Sequence, residues 1–125
     1  MISSYSFGEI SFISPKGVAS RYVSDICIDV RKWSINHWKR EMNHLLCTED
    51  LYCLLRDNPK ILVIGTGIYG RMKVDKGLIS YLTEREIEFQ ALKTNVAVKL
   101  YNDLIVNKDV IDKSIKIAAC LHVTC

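Results

Sequence analysis

Residues 60–65 read KILVIG, a short apolar run that stops at a glycine. With no polar side chain on either face of Ile61–Ile64, such a segment is stable only where both faces are covered, which predicts a central strand of a helix-flanked sheet. Its neighbours repeat the theme. Thr48 fits an N-cap, with Glu49 and Asp50 in the first turn and Leu51, Leu54 and Leu55 as an i, i+3, i+4 stripe. Asn58-Pro59 ends that helix, because the residue before proline avoids helical angles. Asp75 caps a second helix with Leu78, Ile79 and Leu82 on its buried side. The segment IEFQAL, residues 87–92, is a second strand. Thr94 caps a third helix, striped by Ala97, Leu100, Tyr101, Leu104 and Ile105. The polar stretch VNKDVIDKS, residues 106–114, reads as a loop or a frayed helical end, and IKIAACLHV, residues 115–123, closes the chain as a third strand. Strands joined by helices in this way lie parallel.

The first third is β. Ile10 and Phe12 share a face, and Pro15 and Gly17 mark a turn. In SDICIDV, residues 24–30, Ile26, Ile28 and Val30 alternate with Cys27 and Asp29, as in a half-buried strand with a wetter second face. Trp33, Ile35 and His37 continue the period of two. Residues 5–38 are therefore expected to form an antiparallel meander. The predicted fold class is α/β: a mixed sheet with helices packed on it from βαβαβ units, plus an N-terminal β meander, in one compact domain over 1–125.

After KILVIG come Thr66-Gly67 and Gly70, so Gly65, Gly67 and Gly70 have the G-x-G-x-x-G spacing of dinucleotide-binding loops. That fingerprint works only if a helix begins inside it, so that its N-terminal N–H groups face the pyrophosphate. Here Arg71-Met72-Lys73-Val74 alternates as an extended segment and the next helix starts at Asp75, too late and with a carboxylate where phosphate would sit. The expectation is a strand exit in which Gly65 and Gly67 adopt unusual backbone angles. It is not a Rossmann dinucleotide site, and no cofactor is predicted.

The 17 basic and 14 acidic residues give a net charge of +3, and the basic ones are scattered. A nucleic-acid binder concentrates positive charge in a patch or stripe, so no nucleic-acid partner is expected. No apolar run approaches the ~20 residues that span a bilayer. The N-terminal segment lacks the marks of a secretory or transit signal. Five cysteines without a C-x-x-C pair suggest reduced thiols in a cytoplasmic setting.

Three segments, each at or just beyond a predicted strand's C-terminal end, are candidates to share a site: the Gly65-Thr66-Gly67 turn, the Thr94 helix start, and His122-Val123-Thr124-Cys125. Backbone N–H groups there could hold a small anion, with Arg71 complementing its charge. Arg71 and Lys73 also read as an ordinary solvated strand face. His122 and Cys125 suggest a thiolate nucleophile, although an offset of three puts them on opposite strand faces. A buried histidine closing the sheet is the plainer reading, with Thr124 on its face. His44/Cys47 and His122/Cys125 are two H-x-x-C pairs, poor as a zinc pattern, and no metal is predicted. Asp25, Asp29 and Asp57 show no paired arrangement, and Trp33 and Trp38 fit the core or a sheet edge.

Taken together, SYSFGEISF, SDICIDV, ILVIGTGIYGRMKV, YLTEREIEFQALKTNVAVKLYNDL and AACLHVTC resemble, in order and spacing, the family known as domain of unknown function 498. The family has archaeal and bacterial members, the adipogenesis-associated protein of animals and, more distantly, a mitochondrial complex I assembly factor. The HVTC ending is similar to the archaeal and adipogenesis-associated branch rather than to the assembly factor, and residues 107–114 are longer than is usual there. The resemblance implies a single α/β domain without an established activity, whose animal members are linked to regulation and assembly. It draws Thr94, Tyr101 and Asn102 together as a T-x-x-A-x-x-x-Y-N helix. Their structural roles are a cap at Thr94, a core ring at Tyr101 with its hydroxyl at the edge, and a loop contact at Asn102. The leading expectation is a binding or interaction module with a protein partner or small anionic ligand. The alternative is an enzyme using Cys125 or His122 beside the glycine turn.

Overall fold

The computed structural model describes residues 1–14, 16–23, 25–30, 34–35, 45–111 and 115–124. In chain order the elements are β1 (Ile2–Ser6), β2 (Glu9–Ile13), β3 (Ala19–Tyr22), β4 (Ile26–Ile28), β5 (Ser34–Ile35), β6 (Leu45–Leu46), a 3-10 turn (Thr48–Leu51), α1 (Tyr52–Leu55), β7 (Ile61–Thr66), β8 (Lys73–Val74), α2 (Lys76–Glu84), β9 (Glu88–Leu92), α3 (Thr94–Ile111) and β10 (Ile117–His122). Trp33, His37, Trp38, His44 and Cys125 lie outside the described residues.

The KILVIG prediction holds. β7 is buried from Leu62 onward and pairs in parallel with β10 on one side and β9 on the other. The sheet order is β5-β4-β10-β7-β9, with β4 antiparallel to β10. Alternate residues of this sheet feed two cores. Leu62, Ile64, Ala118 and Cys120 pack with Leu51, Leu54, Leu55, Leu78 and Leu82. Val63, Ile117, Ala119 and Leu121 pack with Ala97, Tyr101 and Ile105 of α3 and with Ile2, Ile10 and Phe12. The molecule is thus layered: α1 and α2, the mixed sheet, then α3 with a separate β1-β2-β3 sheet.

The N-terminal antiparallel meander is present as β1-β2-β3, but it does not extend to β4 and β5. β1, β2 and β3 form their own antiparallel sheet, and β4 crosses into the larger one. β4 has no wetter face either: Cys27 is fully buried and Asp29 is 1% exposed. The alternation was read correctly, but β4 lies between β10 and β5, so each face meets a core.

Local chemistry differs at three places. Residues 48–51 open as a 3-10 turn rather than an α-helix, and the capping carboxylate is that of Asp50, which accepts the Cys47 N–H at 2.8 Å. α1 ends at Leu55, before Asn58-Pro59, and Asn58 turns the chain with φ of 51°. Asp75 does cap α2, accepting from the Gly77 N–H at 2.9 Å, but Ile79 is exposed while Leu78 and Leu82 are buried. α3 continues through Ile111.

Candidate functional site

β7, β9 and β10 are parallel, so the Gly65-Thr66-Gly67 turn, the entry to α3 and the end of β10 converge at one end of the sheet. Thr66 is the register partner of His122, and its hydroxyl donates to the Leu92 carbonyl at 3.0 Å. The three expected segments are joined by one side chain. The Thr94 hydroxyl accepts the Gly67 N–H at 2.8 Å and donates to the His122 carbonyl at 2.6 Å. Thr94 is not the cap expected from sequence. The Lys93 carbonyl accepts the Ala97 N–H at 2.9 Å, which makes Thr94 the first residue of α3 and frees its side chain to reach two strand ends.

The turn's glycines have different jobs. Gly67 has φ of 99°, a left-handed conformation that a Cβ disfavours. Gly65, expected to turn too, stays in the strand. A Cβ there would stand 2.9 Å from both Leu121 Cδ2 and Thr94 Oγ1, so the position is empty to allow close packing. Beyond Gly70 the chain is extended through β8, and no helix starts before Lys76. The turn's amides also point inward. Gly67 N–H goes to Thr94, Ile68 N–H to the Thr124 carbonyl at 2.8 Å, Gly70 N–H to the Gly67 carbonyl and Met72 N–H to the Thr66 carbonyl. The anion cradle expected from sequence therefore lacks these four donors.

His122 is 4% exposed. Its Nδ1 lies 2.9 and 2.8 Å from Oδ1 and Oδ2 of Asp25. A carboxylate only accepts, so Nδ1 carries a proton, and Nε2 faces the Thr124 hydroxyl at 3.5 Å. Asp25 Oδ1 also accepts the Val123 N–H at 2.9 Å. The Tyr5 hydroxyl reaches the Val123 carbonyl at 3.3 Å. Burial raises the Tyr5 pKa above its usual value, a hydrogen bond with Thr94 opposes this, and the charge of Asp25 adds to it.

Three predicted residues take no part in the bonds of this junction. Arg71 stacks over the Tyr69 ring at 5.5 Å. The Asn102 amide donates to the Ile2 carbonyl at 2.8 Å and accepts the Ile2 N–H at 3.0 Å, tying α3 to β1. Tyr101 is fully buried, and its hydroxyl, expected at an edge, has no hydrogen-bond partner among the described residues. Burial, with the nearby Asp29 charge second, pushes its pKa well above the usual phenol value. Tyr101→Phe removes that unmatched polar atom and is expected to raise stability by about 1 kcal/mol. The unfolded chain ionises its tyrosines near pH 10 while Tyr101 stays neutral in the fold, so this residue costs stability as pH rises above 10. Urea unfolding at pH 8 and pH 10.5 checks both: the gain in Tyr101→Phe should be larger at the higher pH.

Asp25, expected from sequence to be unpaired, is the partner of His122, and Tyr5 is not singled out by the sequence at all. Asp25 meets His122 because Ile26 pairs with Leu121, 95 residues on, and no local spacing signals that register. Among the described residues, no group of three or more His, Cys, Asp or Glu is arranged to hold a metal. No described helix is long and apolar enough to cross a membrane.

Comparisons with known proteins agree with the layered fold. Over its full length the chain is similar to a conserved hypothetical protein of Pyrococcus horikoshii, 24% identical, covering 99% of that chain with a TM-score of 0.71. It is likewise similar to a protein named MT938, 25% identical, covering 100% of this chain and 98% of that one with a TM-score of 0.71. A third likeness, over 99% of this chain and 94% of the other, is to a protein described as an outer membrane protein of Bartonella henselae, 22% identical with a TM-score of 0.70. Residues 2–121 match the family described as protein of unknown function (DUF498/DUF598), and the chain belongs to that family.

Proposed function

We propose that this chain is a binding module whose contact surface is the end of the sheet around the Gly67 turn and the exit of β10. The supporting observation is where three of the exposed apolar side chains lie. Phe7, Val23 and Tyr69 are 56, 72 and 64% exposed. Each sits one or two residues from a group bonded to Val123 or Thr124: the Gly8 N–H to the Val123 carbonyl, the Asp25 carboxylate to the Val123 N–H, and the Ile68 N–H to the Thr124 carbonyl. Three loops are thus anchored rigidly beneath side chains that water solvates poorly, with Arg71 stacked on one of them. Exposed aromatic and arginine side chains on a fixed scaffold suit a protein partner. In this reading Gly65, Thr66, Gly67, Thr94 and His122 shape the platform, and Phe7, Val23, Tyr69 and Arg71 touch the partner.

Photo-crosslinking tests this. A photoreactive residue at position 7, 23 or 69 should give one shared adduct in cells, and the same residue at Ile79, exposed on α2, should not. Adducts spread equally over all four positions, or none at 7, 23 and 69, would count against the surface.

A second reading, catalysis at His122, is favoured by the Asp25–His122–Thr124 chain, which orients Nε2 as a base would be oriented. It predicts pH-dependent turnover that is lost in His122→Gln and reduced in Asp25→Asn, with stability measured in parallel.

A further inference from the structure

Among the described residues β9 is an edge strand of the large sheet, with β7 on one side and no strand on the other. Its backbone directions follow from its pairing. The Glu88 N–H donates to the Lys60 carbonyl, and the Thr66 hydroxyl reaches the Leu92 carbonyl, so the groups of Glu88, Gln90 and Leu92 face β7. In a strand, successive residues alternate their N–H and C=O directions. Those of Phe89 and Ala91 therefore face outward, where none of the described residues accepts or donates to them. The next outward positions are already engaged: the Ile87 N–H donates to the Leu82 carbonyl, and the Lys93 carbonyl accepts from Val96 and Ala97. The open edge thus consists of two residues, Phe89 and Ala91, flanking Gln90.

Two cavities border this strand. One, about 680 Å³, wraps its edge from Thr83 and Ile87 on the α2 side past Phe89 and Gln90 to Leu100 and Leu104 of α3. The other, about 370 Å³, shares Gln90 and Leu100 and adds Leu92 and Val96. The charges along the edge are unevenly placed. Glu86 and Glu88 stand at its beginning with Lys60, and Lys93 and Lys99 flank its end with Asp103, so the beginning is net acidic and the end net basic.

We propose that β9 pairs with β9 of a second copy of this chain, antiparallel about a two-fold axis through Gln90. A two-fold axis perpendicular to the sheet keeps side chains on their own faces, so only registers that pair residues of like orientation are allowed. The register centred on Gln90 sets Phe89 opposite Ala91 of the second copy, and Ala91 opposite Phe89. It uses all four outward N–H and C=O groups of each copy's open edge. Centring on Phe89 or Ala91 instead presents outward groups to Ile87 or Lys93, where one group is already occupied. The Gln90 register also brings the acidic beginning of each edge beside the basic end of the other, twice over by symmetry. That self-complementarity favours a second copy over an unrelated strand, because antiparallel pairing of β9 with itself matches opposite charges automatically. The grooves of the two copies then meet at the axis and screen Val96, Leu100 and Leu104 from water. The pairing centre at Gln90 involves none of Phe7, Val23 and Tyr69, although Lys93 at the end of the edge packs beside Gly70, so a failure to dimerise would leave the binding reading above untouched.

The test has two arms on the full chain. Analytical ultracentrifugation should give twice the 14.3 kDa chain mass, and Gln90→Lys, which places two like charges at the axis, should return the mass to one chain with an unchanged circular dichroism melt. Gln90→Cys should form an intermolecular disulfide under mild oxidation, since opposed residues at a non-hydrogen-bonded antiparallel position lie about 4.5 Å apart at Cα. Lys99→Cys, displaced from the axis on α3, should cross-link at least tenfold more slowly. A single-chain mass at about 0.5 mM would overturn the proposal, and so would a dimer in which Gln90→Cys cross-links no faster than Lys99→Cys. If Gln90→Lys melts early, the wild-type mass and the cross-linking ratio decide alone.

Discussion

Thr94→Val will destabilise the protein by about 2–4 kcal/mol, a large effect for a near-isosteric change. Valine keeps the shape of threonine but removes a hydroxyl that accepts from Gly67 and donates to His122. Both partners are main-chain groups next to the core, and Thr94 itself is fully buried. Water cannot reach the Gly67 N–H without opening the turn, so most of the desolvation penalty is retained. Thr94→Ser keeps both bonds and should lie within about 1 kcal/mol of wild type, since only a methyl is lost. Urea midpoints at constant m-value measure the difference, and hydrogen exchange at the Gly67 amide localises it. Equal stability of the valine and serine variants would refute the bridging role.

Gly65→Ala carries the second large effect, a loss of about 1–3 kcal/mol or more from overpacking. The new methyl would lie 2.9 Å from Leu121 Cδ2 and 2.9 Å from Thr94 Oγ1. The leucine tip can rotate away, but the threonine oxygen is held by two hydrogen bonds and cannot yield without breaking one. The two sites must therefore couple. In a Thr94→Ala background, where that oxygen is gone, Gly65→Ala should cost less by about 0.5–3 kcal/mol. Strict additivity of the two changes would show that the crowding lies elsewhere.

The fold was largely legible because its strongest signals are local. KILVIG needed cover on both faces and found it in Leu54 and Leu78 on one side and Ala97 and Tyr101 on the other. The stripe of α3 and the late start of α2 after the glycines were likewise visible, since helical periodicity and an Asp cap act within a few residues. The errors fall where a neighbour distant in sequence decides. Cys27 and Asp29 looked half-solvated by alternation alone, and only the insertion of β4 between β10 and β5 buries them. Ile79 fits the helical stripe, but α2 meets the core along Leu78 and Leu82.

At the candidate site the division is sharper. Sequence by itself determined that the glycine turn, the start of α3 and the last strand end at the same edge, because parallel β-α-β connections bring their strand ends together. It also determined that no helix begins inside the G-x-G-x-x-G spacing. Only the tertiary structure decided which atoms meet there. Asp25 reaches His122 across 97 residues, and Thr94 turns from a cap into a bridge, because antiparallel register and side-chain reach are properties of packed elements. Local pattern chooses which face of an element is buried. The partner on that face is set by the arrangement of the whole chain, and with it the direction in which each N–H, carboxylate and hydroxyl points.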